Sequence, residues 1–189
     1  MRKTRHGKRL FLCAAIVFLL PVLGACSQVT DTASDKATGE YSGNDENPTE
    51  YEIMENGTDG EHVIEADGKK ESYEHIRVIK TGDSEGDEAD FYGENSAIFA
   101  TNNATLELHD IQVETDGTHA NAVFSYGEGT TVNIGSSVIE TKGNCSGGLM
   151  TTGGGTMNAQ NLLIHTEGNS SAAIRSDRGG GIVNVEGGA

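Results

Sequence analysis

Five carboxylates, Asp83, Glu85, Asp87, Glu88 and Asp90, crowd into the first eight residues of "DSEGDEADFYGE" (83–94). Hard oxygen ligands at that density could hold Ca2+. Their spacing fits neither the helix–loop–helix calcium loop nor the Gly-Gly-x-Gly-x-Asp repeat. The expectation is therefore a solvated acidic loop, with Ca2+ as the alternative and no other cofactor implied. Acid–base chemistry would draw on Asp110, Asp116, Asp177, Arg175 and Arg178, metal ligation on His109, His119 and His165, and nucleophilic attack on Cys145. What any of these can do depends on which elements bring them together.

The charge balance removes one class of partner. The chain has 29 acids and 13 bases, and five of the bases but none of the acids fall in residues 1–25. The remainder thus carries 29 acids against 8 bases, a formal charge of −21. Phosphate recognition needs clustered Lys and Arg, so nucleic acid is not an expected partner. Gly is abundant and Trp absent, a composition unlike that of a coiled coil or a Leu-rich bundle.

The elements follow from an internal repeat. Four blocks of 25 or 26 residues stack: "SAIFATNNATLELHDIQVETDGTHA" (96–120), "NAVFSYGEGTTVNIGSSVIETKGNCS" (121–146), "GGLMTTGGGTMNAQNLLIHTEGNSS" (147–171) and "AAIRSDRGGGIVNVEGGA" (172–189). Ile98, Val123, Leu149 and Ile174 share a column, as do Leu106, Val132, Met157 and Val183, and Leu108, Ile134, Ala159 and Val185. Val113, Ile139 and Ile164 form another, each followed two residues on by Thr115, Thr141 or Thr166. Gly117, Gly143 and Gly168 close the three full blocks.

Within a block, apolar and polar residues alternate over short runs, the strand period, and no stretch shows a helical one. Each block offers about three short strands, and stacking buries a core that no single block could bury alone. The fold class is all-β, a right-handed parallel β-helix solenoid over residues 51–189. Leucine-rich repeats share the period but need a first Leu that these blocks lack. "HIRVIKTG" (75–82) reads as the last strand of an earlier turn, with Ile79 and Thr81 in the Val113 and Thr115 columns; residues 51–74 would supply an N-terminal turn or cap.

Placed on the repeat, the chemical candidates scatter. Asp110 aligns with Ser136 and Asn161, and Asp116 with Lys142 and Glu167, so no column collects carboxylates. The three histidines fall in different columns, which argues against a metal site built from them. Asp177-Arg178 reads as an ion pair at a turn. Cys145 reads as a buried or loop thiol, because no partnered His and base pattern accompanies it. No catalytic residue is assigned. The column Glu107, Asn133, Asn158, Asn184 points outward and reads as a polar ladder or as a glycan-binding strip. Phe99 and Phe124 share a column beside it and could form an exposed aromatic pair, which Met150 and Arg175 then interrupt.

The two ends carry other information. A basic stretch, "RKTRHGKR", precedes an apolar run from Leu10 to Leu23 and the small residues Gly24 and Ala25. That order is the one of a secretory signal. "VLGAC" resembles the bacterial lipobox, and the resemblance implies cleavage after Ala25 and lipid on Cys26, the first mature residue. An ordinary signal peptide with a chance Cys, or a transmembrane helix, is the alternative. Residues 26–50, polar, acidic and without periodicity, are expected to be a flexible tether. At the other end "SDRGGGIVNVEGGA" places three glycines in the turn that "TGGGTMNA" makes one block earlier. Its turn is half completed at Ala189, which predicts a natural chain that continues and a last turn open to self-association.

"DFYGENSAIFA", "ANAVFSYGEG" and "AAIRSDRGGG" resemble the repeats of bacterial adhesin-like surface proteins with a right-handed, pectin-lyase-like parallel β-helix. The resemblance covers roughly residues 60–189 and brings no catalytic residues with it. It implies a lipid-anchored protein of the bacterial cell envelope facing away from the cytoplasm, with the choice of membrane open. Its partners would be the membrane, through the N-terminal lipid, and an extracellular glycan or surface protein. The fold is shared with polysaccharide lyases and hydrolases, so an enzyme with its site in further turns is the competing class, and a passive stalk a third.

Overall fold

The computed structural model describes residues 50–189. The expected signal segment (1–25), Cys26 and all but the last residue of the expected tether lie outside the described residues.

The chain winds as a parallel β-solenoid of about five turns with a period of about 26 residues. A leading strand β1 (Glu52–Asn56) precedes the first coil, β2 (Ile64–Asp67), β3 (Lys70–Glu74) and β4 (Ile76–Lys80). The second coil is β5 (Ile98–Thr101), β6 (Thr105–His109) and β7 (Gln112–Thr115). The third is β8 (Val123–Tyr126), β9 (Thr131–Gly135) and β10 (Val138–Thr141). The fourth is β11 (Leu149–Thr152) and the long β12 (Gly155–Thr166), and the fifth is β13 (Ile174–Ser176) and β14 (Gly181–Gly188). Three faces result. One is β2-β5-β8-β11-β13, the second β3-β6-β9-β12-β14, and the third β1-β4-β7-β10-β12, so that β12 serves two of them.

The registers reproduce the columns read from the repeat. Ile64, Ile98, Val123, Leu149 and Ile174 pair in line, and so do Leu106, Val132, Met157 and Val183. Their side chains fill the interior, and all but those of the last coil are buried. Each large one contributes about 1.5–3 kcal/mol of burial, and each needs the coil above and below to do so. In the fifth coil Ile174, Ile182 and Val185 are exposed.

The corner between the second and third faces is a column of left-handed residues: His75 (φ 56°), Asp110 (48°), Ser136 (50°), Asn161 (52°) and Gly187 (69°). Short polar side chains and Gly enter that region at least cost. At Asn161 the chain bends without leaving the ladder, which fuses two expected strands into β12. The glycine triplets divide their tasks. Gly153, Gly154, Gly179 and Gly180 have positive φ, whereas Gly155 does not, and a Cβ there would overlap the carbonyl of Ser125.

Two expectations are corrected. The "HIRVIKTG" strand is one residue out of the expected register: Val78 pairs with Val113 and Lys80 with Thr115, instead of Ile79 and Thr81. The left-handed corner at His75 sets which residues face in, and the alternation Ile76, Val78, Lys80 is the buried one. Lys80 is consequently fully buried, its Nζ donating to the Thr58 carbonyl at 2.7 Å. Burial lowers its pKa, partly opposed by Asp59, Asp83 and Glu61.

The acidic loop is the second correction, because it contains a helix, α1 (Asp87–Tyr92). Its acidic residues Asp87, Glu88 and Asp90 sit in the first turn, where the helix dipole favours them, and Gly93 ends it at φ 86°. A Cβ on Gly93 would overlap the ring of Phe99. The chain re-enters the solenoid at the buried Asn95, whose Nδ2 donates to the carbonyls of Gly82 (2.7 Å) and Thr118 (3.1 Å).

Candidate functional site

The outer side of the second face carries a shallow groove of about 400 Å³, spanning the first four coils. Its outward columns are Ser72, Glu107, Asn133 and Asn158, and beside them Glu74, His109, Gly135 and Gln160. Gly135 has no side chain between His109 and Gln160, and the depression lies there. His109 Nδ1 is 3.5 Å from Glu74 Oε1, and both side chains are exposed.

The expected polar ladder is present. Asn133 Nδ2 donates to Glu107 Oε1 (2.7 Å), Asn158 Nδ2 to Asn133 Oδ1 (2.8 Å), and Asn184 Nδ2 to Asn158 Oδ1 (2.8 Å). One bond per coil runs along the solenoid axis and stitches successive turns. Each amide keeps a second N–H and a second lone pair directed off the ladder, so the strip can hold itself together and still meet a polar ligand.

Phe99 and Phe124 are not an exposed pair. They point away from the solenoid interior, as their column requires, but both are buried, with ring centroids 6.1 Å apart and Met150 beside them. Residues 83–94, inserted between β4 and β5, pack onto both rings at Gly93, and the β1–β2 connection adds a second cover. His62 stacks on Phe99 at 4.6 Å, and Tyr92 meets Tyr126 edge-on at 5.8 Å. Thr152 Oγ1 donates to the Phe91 carbonyl at 2.6 Å. Arg178 lies 3.6 Å over the Phe91 ring and pairs with Asp87 at 2.8 Å. The expected Asp177-Arg178 pair is therefore replaced. Asp177 instead takes Arg175 at 2.7 Å, and its pKa is lowered first by the backbone N–H of Arg178 and then by Arg175.

The same folding disperses the five carboxylates. Asp83 accepts the Thr118 N–H, Asp87 pairs with Arg178, Asp90 pairs with His119, and Glu85 and Glu88 are exposed. They do not converge on one point as a set of Ca2+ ligands would. One group among the described residues does bring metal-ligating types together: Asp90, His119 and Cys145, with one ligand atom from each all within 4.8 Å of the others. Aligning histidines only with histidines passes over this group. The available signal was that His119 and Cys145 lie one period apart.

A second polar cluster sits at the opposite corner. Asp110 accepts from His75 Nδ1 (2.8 Å) and from the Tyr51 hydroxyl (2.7 Å), and Tyr51 stacks on His75 at 4.0 Å. The hydrogen bond from His75 and then that from Tyr51 lower the Asp110 pKa, and the bond to Asp110 raises that of Tyr51. This cluster ties residue 51 to the first two coils. Across the same face Arg77 forks onto Glu114 at 2.8 and 2.9 Å and holds that carboxyl below its usual range.

Comparison of the chain with protein-family models, with curated proteins and with solved structures finds no match.

Proposed function

We propose that this chain is an envelope lipoprotein whose β-solenoid is a non-enzymatic, adhesin-like module that binds an extended neutral glycan along the groove of the second face. The observation that carries the reading is the groove itself. Amide, carboxamide and imidazole groups of Asn133, Asn158, Gln160 and His109 line it, and they recur with the strand spacing of about 4.8 Å. A repeating ligand matches a repeating surface. Glu74, Glu107 and the strongly acidic balance of the chain disfavour polyuronates and other anionic polymers. Support for the lipid anchor is the "LGAC" sequence ending at Cys26, and support for the right-handed, pectin-lyase-like kind of helix is the set of repeat words quoted above.

Gly135→Gln gives the test. Its Cβ would meet only ordinary contacts, His109 Cδ2 at 3.7 Å and the Gln160 carbonyl at 3.9 Å, so the fold tolerates it while the side chain fills the depression. Affinity electrophoresis of residues 27–189 through gels carrying neutral polysaccharides should show retardation. Gly135→Gln should weaken it at least tenfold, and polyuronate gels should retard neither form. Equal mobility of parent and variant in every gel overturns the reading and leaves the ladder as a structural stitch in a stalk. Release of reducing sugar or an unsaturated product would move the chain to the enzyme class.

A further inference from the structure

We propose that Asp90, His119 and Cys145 form a three-ligand transition-metal site, suited to Zn2+, that clasps the inserted helix onto the stacked turns. Three separate elements supply the ligands. His119 lies in the turn between β7 and β8, Cys145 in the equivalent turn between β10 and β11, and Asp90 on α1.

The two turn residues are placed by the solenoid. Both are left-handed, at φ 55° and 54°. The His119 N–H donates to the Asn144 carbonyl at 2.9 Å, and the Cys145 N–H to that of Asn169 at 2.8 Å. Their side chains therefore leave adjacent rungs in the same direction. Asp90 is delivered from outside by a segment fixed at several points, among them Arg178 on Asp87 and Phe91, and Thr152 on the Phe91 carbonyl.

His119 is already set up as a ligand. Its Nδ1 lies 2.8 Å from the Ser84 carbonyl, which can only accept, so Nδ1 carries a hydrogen. In the neutral ring Nε2 is then a lone pair, and it lies 3.2 Å from Asp90 Oδ1. A ring nitrogen held by a backbone carbonyl while the other faces a metal is the usual outer-shell arrangement of ligating histidines. The His119 side chain is 12% exposed and that of Asp90 28%, so the site is shielded yet reachable.

Thiolate, imidazole and carboxylate together select a borderline-soft ion over Ca2+ or Mg2+. Metal–ligand distances of about 2.0–2.3 Å in a tetrahedron imply ligand separations of about 3.3–3.8 Å. Asp90 and His119 already stand at 3.2 Å, so it is the Cys145 sulfur that must close, by up to roughly 1 Å, within reach of a rotation of its side chain. Binding releases the Cys145 proton to solvent, and a fourth position stays open to water. In the next coil Ser170 occupies the Cys145 position with the same left-handed backbone, φ 58°, so Cys145→Ser is tolerated by the fold.

The test uses the full chain in detergent with Cys13→Ser and Cys26→Ser, which leaves Cys145 as its one thiol. Titration of the metal-free protein with Co2+ should give a thiolate-to-cobalt charge-transfer band and the intense visible bands of a tetrahedral ion, at one equivalent. Zn2+ should abolish both and slow alkylation of Cys145 at least tenfold. Cys145→Ser should remove the charge-transfer band, while His119→Asn, which suits the left-handed backbone, and Asp90→Asn should each weaken Co2+ binding at least tenfold with unchanged metal-free melting. Binding without the charge-transfer band, or undiminished in Cys145→Ser, overturns the proposal and leaves Asp90 and a protonated His119 as a plain ion pair beside a bystander thiol.

Discussion

Phe124→Ala separates an exposed aromatic from one covered by the insertion. Phe124 is fully buried on the outer side of the first face, against Phe99, Met150 and the segment around Gly93. Truncation removes the transfer energy of the ring and leaves a cavity lined by side chains that cannot collapse onto the pleated sheet. Buried Phe→Ala changes cost about 3–5 kcal/mol, whereas an exposed position would stay within about 0.5 kcal/mol. For a domain of this size the expected loss corresponds to a fall in Tm of roughly 6–20 °C. Urea unfolding of residues 27–189 and of the variant, followed by far-ultraviolet circular dichroism, measures the difference. Because a solenoid is stabilised coil by coil, part of the cost can appear as local opening of the insertion. Cleavage after Glu85, Glu88 and Glu94 by a glutamate-specific protease reads that opening, and the variant should be cut faster. A loss below about 1 kcal/mol with an unchanged cleavage rate would refute the packing described for the insertion.

Two further outcomes rest on the stacking itself. Gly143→Ala places a Cβ into the carbonyl of Gly117 one coil below, and thermal melting should show a loss of about 3 kcal/mol or more, the upper end for overpacking. Gly86→Ala meets nothing within 4 Å but sits at φ 90°, ψ −172°, so its cost of about 1–3 kcal/mol comes from backbone conformation alone. Lys80 tests pH. Its folded pKa lies below the unfolded 10.5, so the unfolded chain binds the proton more tightly and stability rises with pH between the two values. The contribution is at most about 1.4 kcal/mol per pH unit. Urea midpoints should show this rise in the parent relative to Lys80→Met; parallel pH profiles would refute the buried placement.

The sequence alone specified the solenoid, because in a stacked coil every residue's main neighbours lie one period away. Ile98, Val123 and Leu149 can be aligned by counting, and the Asn133–Asn158–Asn184 ladder follows from the same count. The left-handed corner through Asp110, Ser136 and Asn161 was legible as a column, though its backbone conformation was not. The first coil shows the limit of counting. "HIRVIKTG" offers two alternating sets, and only the corner at His75 chose the one that buries Lys80. The insertion lies beyond counting altogether. Phe91, Tyr92 and Asp90 have no counterparts in other blocks, and their partners Tyr126, Thr152, Arg178 and His119 lie from about 30 to 90 residues away. Shape and surface complementarity, which have no period, decided where that segment settled. That packing turned an exposed aromatic pair into a second core and carried a carboxylate to a histidine and a thiol.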